Sequence, residues 1–292
     1  MTTTPRSVYL VGSASGIAAQ QTGCEEGPKV LKDSEFLQNA FAALAVQPVW
    51  EAMLASSPQT QSSLERVSGH CKNLAENIAR LTREKKFFLV FGGDHSCAIG
   101  TWSGAASEIQ GDLGLIWIDA HMDAHTPETT PSGNIHGMPV ASLLGLGYPQ
   151  LTSMLTANAK IKPENLCLIG VRSFEEGEAE LLKRLNVRIY YMPEVKERGL
   201  DVICQEALAQ VTKNTAAFGV TLDLDSIDPL EAPGTGCWEP DGLSAVELCA
   251  ALTNFSRNPR LVGAEIVEFD PSRDQNQITE KLLAKLVQTL LA

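Results

Sequence analysis

The feature that most constrains the fold of this chain is a repeated alternation of short, continuously apolar runs with longer segments of helical period. Seven runs are expected to be strands: residues 7–11, 87–91, 113–118, 165–171, 187–190, 216–222 and 261–267. Several are apolar throughout rather than alternating, which suits strands covered on both faces. Between them, Leu64, Val67, Cys71, Leu74, Ile78 and Leu81 recur at three- and four-residue steps and so share one helical face. Ser244 followed by Glu247 has the spacing of a capping box opening a helix through Leu252. Ile278, Leu282, Leu286 and Leu290, widened by Leu283, Val287 and Leu291, mark a last helix. Its stripe has apolar area to hide and is expected to close over the sheet. Strand and helix in this repeated order predict an α/β fold of three layers (αβα), a mostly parallel sheet with helices on both faces.

Pro and Gly cluster at 127–149 and 228–242, where they read as loops at strand ends rather than domain boundaries. No internal repeat or low-complexity linker divides the chain, so its 292 residues are expected to form a single domain over 1–292. With 23 Lys and Arg against 35 Asp and Glu, the formal charge is -12. Such a surface repels nucleic acid and anionic membrane at long range and tolerates a cationic small substrate. No run approaches the roughly 20 apolar residues that span a bilayer. Residues 1–12 hold only a four-residue apolar run and lack the apolar segment of a secretory signal. The seven cysteines are scattered, odd in number and without a CxxC, which reads as reduced thiols in the cytoplasm.

Three segments place ionisable groups where an apolar strand ends. They are Phe91-Gly92-Gly93-Asp94-His95-Ser96, Asp119-Ala120-His121-Met122-Asp123 and Asp223-Leu224-Asp225-Ser226-Ile227-Asp228-Pro229. In open α/β folds ligands sit beyond these carboxyl ends. Taken singly, each has an ordinary alternative: an Asp at a strand end also serves as a turn former or helix cap. Together they are harder to explain that way. Asp119, His121 and Asp123, like Asp223 and Asp225, are spaced evenly, so neighbours two apart can face the same way. Several carboxylates buried together need cations to balance them. Two divalent ions would balance four such charges. Carboxylate oxygens outnumber imidazoles in the set, which favours Mn²⁺ over structural zinc and leaves Mg²⁺, Fe and Ni compatible. Gly92 and Gly93 are expected to allow a tight turn that aims His95 inward. Neither a GxGxxG, a Walker sequence nor a GxSxG elbow is present. Two metals sharing one water suit hydrolysis of a stable C–N bond.

FGGDHS at 91–96, DAHMD at 119–123, LDLDSIDP at 222–229 and APGTG at 232–236 resemble the ureohydrolase family. These are manganese enzymes that include arginase, agmatinase and formimidoylglutamase. The segments at 23–28 (GCEEGP) and 132–139 (SGNIHGMP) are most similar to the arginase branch. The resemblance implies two Mn²⁺ per subunit, one held by His95, Asp119, Asp123 and Asp223, the other by His121, Asp119, Asp223 and Asp225. Asp119 and Asp223 would bridge them. A metal-bridging hydroxide would attack the guanidinium carbon of L-arginine, giving L-ornithine and urea. Asp123 would help move its proton, His136 would shuttle a proton to the leaving amine, and Glu268 would pair with the guanidinium. Thr235 would line the same pocket. Ser132 and Asn134 would hold the α-carboxylate, and Glu175 and Glu178 would lie near the α-ammonium. His125 stands where asparagine is usual, Glu175 where aspartate is usual, and Ser173 replaces an acidic residue. These departures keep open another guanidino substrate, as in agmatinase or guanidinobutyrase, or a formimino substrate. A non-enzymatic protein of the same fold is the third reading. The resemblance also implies a homotrimer or homohexamer.

Overall fold

The computed structural model describes residues 7–19, 22–55 and 61–292. Residues 1–6 of the segment read for a secretory signal lie outside them. The strands are β1 (Ser7–Ala14), β2 (Gln47–Ala55), β3 (Phe88–Gly92), β4 (Leu113–Ile118), β5 (Leu166–Val171), β6 (Arg188–Tyr191), β7 (Ala217–Asp223) and β8 (Leu261–Val267). They form one sheet in the order β2-β1-β3-β8-β7-β4-β5-β6, and all seven pairings are parallel. Seven strands fall on the expected apolar runs. The eighth, β2, is an edge strand in which no residue is fully buried. It includes Pro48, whose missing N–H is tolerated at an edge, and it lacks the continuous apolar run that marks the others.

Alternate residues of each strand serve opposite faces, as the two-residue period of a pleated chain requires. Leu89, Phe91, Ile116, Ile118, Val220 and Leu222 pack in one core with the helices Glu35–Ala43, Leu200–Val211, Ala245–Ser256 and Ile278–Leu291. Phe88, Val90, Leu115 and Trp117 pack in the other with the helices Ser63–Arg83 and Cys97–Glu108. These two cores make the three layers. No helix of the described residues is long and apolar enough to cross a membrane.

The helix Ser63–Arg83 buries Val67, Cys71, Leu74, Ile78 and Leu81, and Ser62 with Glu65 forms a capping box at its start. The expected box at Ser244 does not form. Ser244 is the cap by position, but its side chain accepts no cap hydrogen bond. The Ala245 N–H donates to Glu231 Oε2 at 3.3 Å instead. In the last helix Leu283, Leu286, Val287, Leu290 and Leu291 are buried, while Ile278 is exposed at its first turn. The stripe is therefore centred on the 283–290 side. The helix packs on Glu35–Ala43 and Ala245–Ser256 within the layer that covers that face of the sheet.

Candidate metal centre

The four strands in the middle of the sheet, β3, β8, β7 and β4, send their carboxyl ends to one place. The segment after β3 carries His95, that after β4 carries Asp119, His121 and Asp123, the end of β7 carries Asp223 and Asp225, and that after β8 carries Glu268. The turn after β3 does not need the left-handed backbone that glycine permits, since neither Gly92 nor Gly93 has a positive φ. Gly93 is required for a different reason: a Cβ there would stand 2.0 Å from the Ser15 carbonyl oxygen. The loop after β1 thus closes onto the His95 turn, with Gly93 N–H donating to Ser13 O at 2.8 Å.

His95 is 1 % exposed, and its ring stacks on Trp117 with centroids 4.2 Å apart. Nε2 lies 3.2 Å from Thr221 Oγ1. Nδ1 faces three carboxylates from three segments: Asp119 Oδ2 at 3.1 Å, Asp123 Oδ2 at 3.1 Å and Asp223 Oδ2 at 3.0 Å. It is fully buried, and none of the three contacts is a well-formed hydrogen bond. His121 Nδ1 lies 3.0 Å from Asp225 Oδ2 and 3.5 Å from Asp119 Oδ1. Two groups of cation-sized reach result, His95/Asp119/Asp223 and Asp119/His121/Asp225, and Asp119 belongs to both. Asp223 stands with the first group, and its other oxygen accepts the Asp225 N–H at 2.9 Å.

Burial would discharge these groups, and their neighbours resist it. Burial, then Asp225 and Asp119, push the Asp223 carboxyl well above its ordinary range. Burial lifts Asp225 to about 6 against the pull of His121. Burial also works against Asp119, yet His121 and His95 hold it low. Burial disfavours a charged His95, but the three carboxylates keep its proton on far above the ordinary imidazole range. An orphaned imidazole nitrogen among carboxylates at 3 Å, in a set dominated by hard oxygen donors, fits a divalent cation. Asp123 and Glu268 both have left-handed backbones, at φ 50 and φ 64. Non-glycine residues rarely adopt this conformation, and it clusters at functional sites.

A cavity of about 240 Å³ opens over the cluster. Larger grooves exist, including one of about 730 Å³ at the amino ends of the strands. Among the described residues none of them holds a comparable donor cluster. Ser132, Asn134, His125, Glu175, Glu178, His136 and Glu268 all line the site cavity. Glu268 Oε1 accepts the His95 N–H at 2.9 Å, and Oε2 accepts from Cys24 Sγ at 3.1 Å. His136 Nδ1 stands 3.6 Å from Glu268 Oε1. Burial would lower the His136 pKa, but Glu268 raises it to about 9. His125 uses both ring nitrogens within the protein: Nε2 lies 2.9 Å from Glu175 Oε2, and Nδ1 lies 3.2 Å from Thr129 Oγ1. Glu178 is 2 % exposed and accepts from the N–H groups of Ala124 and Glu175, each at 3.1 Å. It braces the helix Glu176–Arg184 as well as facing the cavity.

Thr235 is buried with its hydroxyl unpartnered, its backbone bridges to Phe269, and Cys237, two residues on, lines the cavity. Other residues that matter here carry no sequence signal on their own. Arg172 donates to the carbonyls of Gly170, Asp225, Ser226, Glu239 and Pro240, tying the ends of β5 and β7 to the loop after them. Glu239, on that loop, stands 3.5 Å from His121 Nε2. Both sit among ordinary loop residues, and only the folded geometry singles them out.

A model of the arginase family matches residues 6–292. The arginase of Brevibacillus brevis is 38 % identical over 98 % of this chain and 97 % of its own. The crystal structure of Bacillus subtilis arginase superposes with a TM-score of 0.92 at 34 % identity, covering 98 % of each chain. That of Entamoeba histolytica arginase, in complex with L-ornithine, superposes with a TM-score of 0.90 at 27 % identity, covering 99 % of each. Such matches run through the strand-end segments that build the site, and the chain belongs to the arginase family.

Proposed function

We propose that this chain is an arginase, hydrolysing L-arginine to L-ornithine and urea with two Mn²⁺ per subunit. The observation that carries the reading is the convergence of His95, His121, Asp119, Asp123, Asp223 and Asp225 beneath a cavity that Ser132 and Asn134 also line. Relatives with arginase names support the substrate, as does the Entamoeba arginase solved with L-ornithine. The preponderance of carboxylate oxygens supports Mn²⁺.

His95, Asp119, Asp123 and Asp223 would hold one ion, and His121, Asp119, Asp223 and Asp225 the other. When bound, the two cations supply Lewis acidity that makes water nucleophilic at neutral pH. Glu268 receives the planar guanidinium, since a carboxylate matches its parallel N–H donors. Asp123 accepts a proton from the attacking water. His136 carries a proton to the leaving amine as the C–N bond breaks. Ser132 and Asn134 donate to the substrate carboxylate, with His125 on the same side, while Glu175 and Glu178 lie near its ammonium end. The reading takes the chain as one domain working as a homotrimer or homohexamer in the cytoplasm. The single continuous sheet and the seven free cysteines support the first and last of these.

A second reading, hydrolysis of a different guanidino compound, draws on one observation. His125 engages Glu175 directly, which alters the end of the pocket that reads the amino acid. Urea release from L-arginine, agmatine and 4-guanidinobutyrate by metal-stripped and Mn²⁺-reconstituted protein tests both. L-Arginine should be turned over fastest, and only after reconstitution. Faster turnover of agmatine or guanidinobutyrate would replace the first reading with the second.

A further inference from the structure

We propose that Glu239 is a positioning residue for His121, its carboxylate holding the outer ring nitrogen so that Nδ1 stays aimed into the cluster. The inference rests on the reading of His121 as a ligand of the proposed cation pair. The two histidines of the cluster are supported unequally. His95 is sealed in, stacked on Trp117 and met at Nε2 by Thr221. The side chain of His121 is 28 % exposed, and its Nε2 faces Glu239 Oε1 at 3.5 Å. Nδ1, on the other side of the ring, points at Asp225 and Asp119. A histidine that binds a cation through one nitrogen carries its proton on the other. A carboxylate there selects that tautomer, fixes the ring plane and makes the binding nitrogen more basic.

Glu239 is not on a free loop. Its carbonyl accepts from Arg172 Nη2 at 2.7 Å, and the Pro240 carbonyl accepts from Nε at 3.0 Å. The same guanidinium donates to the carbonyls of Asp225 at 2.8 Å and Ser226 at 3.1 Å. One side chain thus bolts the segment carrying Glu239 to the segment carrying Asp225, and the two carboxylates stand on either side of the His121 ring.

The test is a Mn²⁺ titration of the full chain by calorimetry, with bound metal counted after dialysis against buffered free Mn²⁺. Glu239→Ala should weaken one of the two sites by roughly 10- to 100-fold and leave the other near wild type. Glu239→Gln should fall between, because its amide oxygen still faces the N–H but carries no charge. Melting of the metal-free variants should match metal-free wild type. If Glu239→Ala does not fold, the Gln variant carries the same comparison. Wild-type affinity at both sites in a folded Glu239 variant would overturn the inference. His121→Ala separates the two levels. Loss of a site there with none in Glu239→Ala removes Glu239 alone. Two unaltered sites in His121→Ala remove the reading of His121 as a ligand, and this inference with it.

Discussion

Glu268 shows how much one side chain is asked to do. Its backbone is left-handed at φ 64, its carboxylate is tied by the His95 N–H and the Cys24 thiol, and His136 stands beside it. A group held this firmly meets a guanidinium without having to be ordered first. Glu268→Gln keeps the shape and removes the charge. Hydrogen bonds to charged groups contribute about 1.5–3 kcal/mol, so kcat/KM for L-arginine should fall by roughly ten- to a hundredfold. Steady-state kinetics at saturating Mn²⁺ measure this, and an unchanged kcat/KM would take Glu268 out of the substrate site. At this scale the strand-end acids and histidines were legible because each follows an apolar run, the 119–123 and 223–225 groups at even spacing. Cys24, Glu239 and Arg172 were not, because they act across the site from segments far away in sequence.

Elements deliver these residues, and their packing sets the tolerance. β7 ends in Asp223, and its Gly219 lies against Trp102 of the helix Cys97–Glu108. A Cβ at Gly219 would stand 2.0 Å from Trp102 Cζ3, and Trp102 is fully buried, so the ring has nowhere to go without moving β7. Gly219→Ala should therefore destabilise the protein by about 1–3 kcal/mol, the usual cost of overpacking. The midpoint of urea unfolding reports it, and a midpoint equal to wild type would mean that the interface yields more easily than its packing implies. Such contacts also explain which elements could be foreseen. Strands buried on both faces must be apolar throughout, and these were visible. β2 is half-exposed at the edge and is held by pairing with β1, so it carries no comparable pattern. The helix after Ser244 was visible by its periodicity, but its cap was not, because Glu231, 14 residues earlier in the connection after β7, takes that N–H.

For the whole molecule, the cluster makes stability a matter of what balances its charge. Without cations, Asp223 and Asp225 have raised pKa values, Asp225 to about 6, with burial the main cause in both. A carboxyl whose pKa is higher folded than unfolded contributes stability below its unfolded value near 3.9 and loses it as pH rises through the folded value. His136, raised to about 9 by Glu268 against the effect of burial, contributes below an unfolded value near 6.5 and loses it as pH rises through 9. Both kinds of group therefore weaken the metal-free fold as pH climbs from about 4 to 9. Cations and protons compete for the same carboxylates and imidazoles, so Mn²⁺ should bind more tightly over the same range. His70, whose burial lowers its pKa, acts in the opposite sense below 6.5. It lies away from the cluster beside Ser13, so it cancels between metal-free and Mn²⁺-loaded protein. A site filled at one hundred times its Kd adds about 2.7 kcal/mol, or roughly 5–10 °C in Tm for a chain approaching this size. The Tm gap between loaded and stripped protein should approach that value at pH 8 and shrink at pH 5, where protons already occupy the carboxylates. Melting curves at both pH values measure it, and a gap that is constant or larger at pH 5 would mean that the buried acids are not where the cations bind.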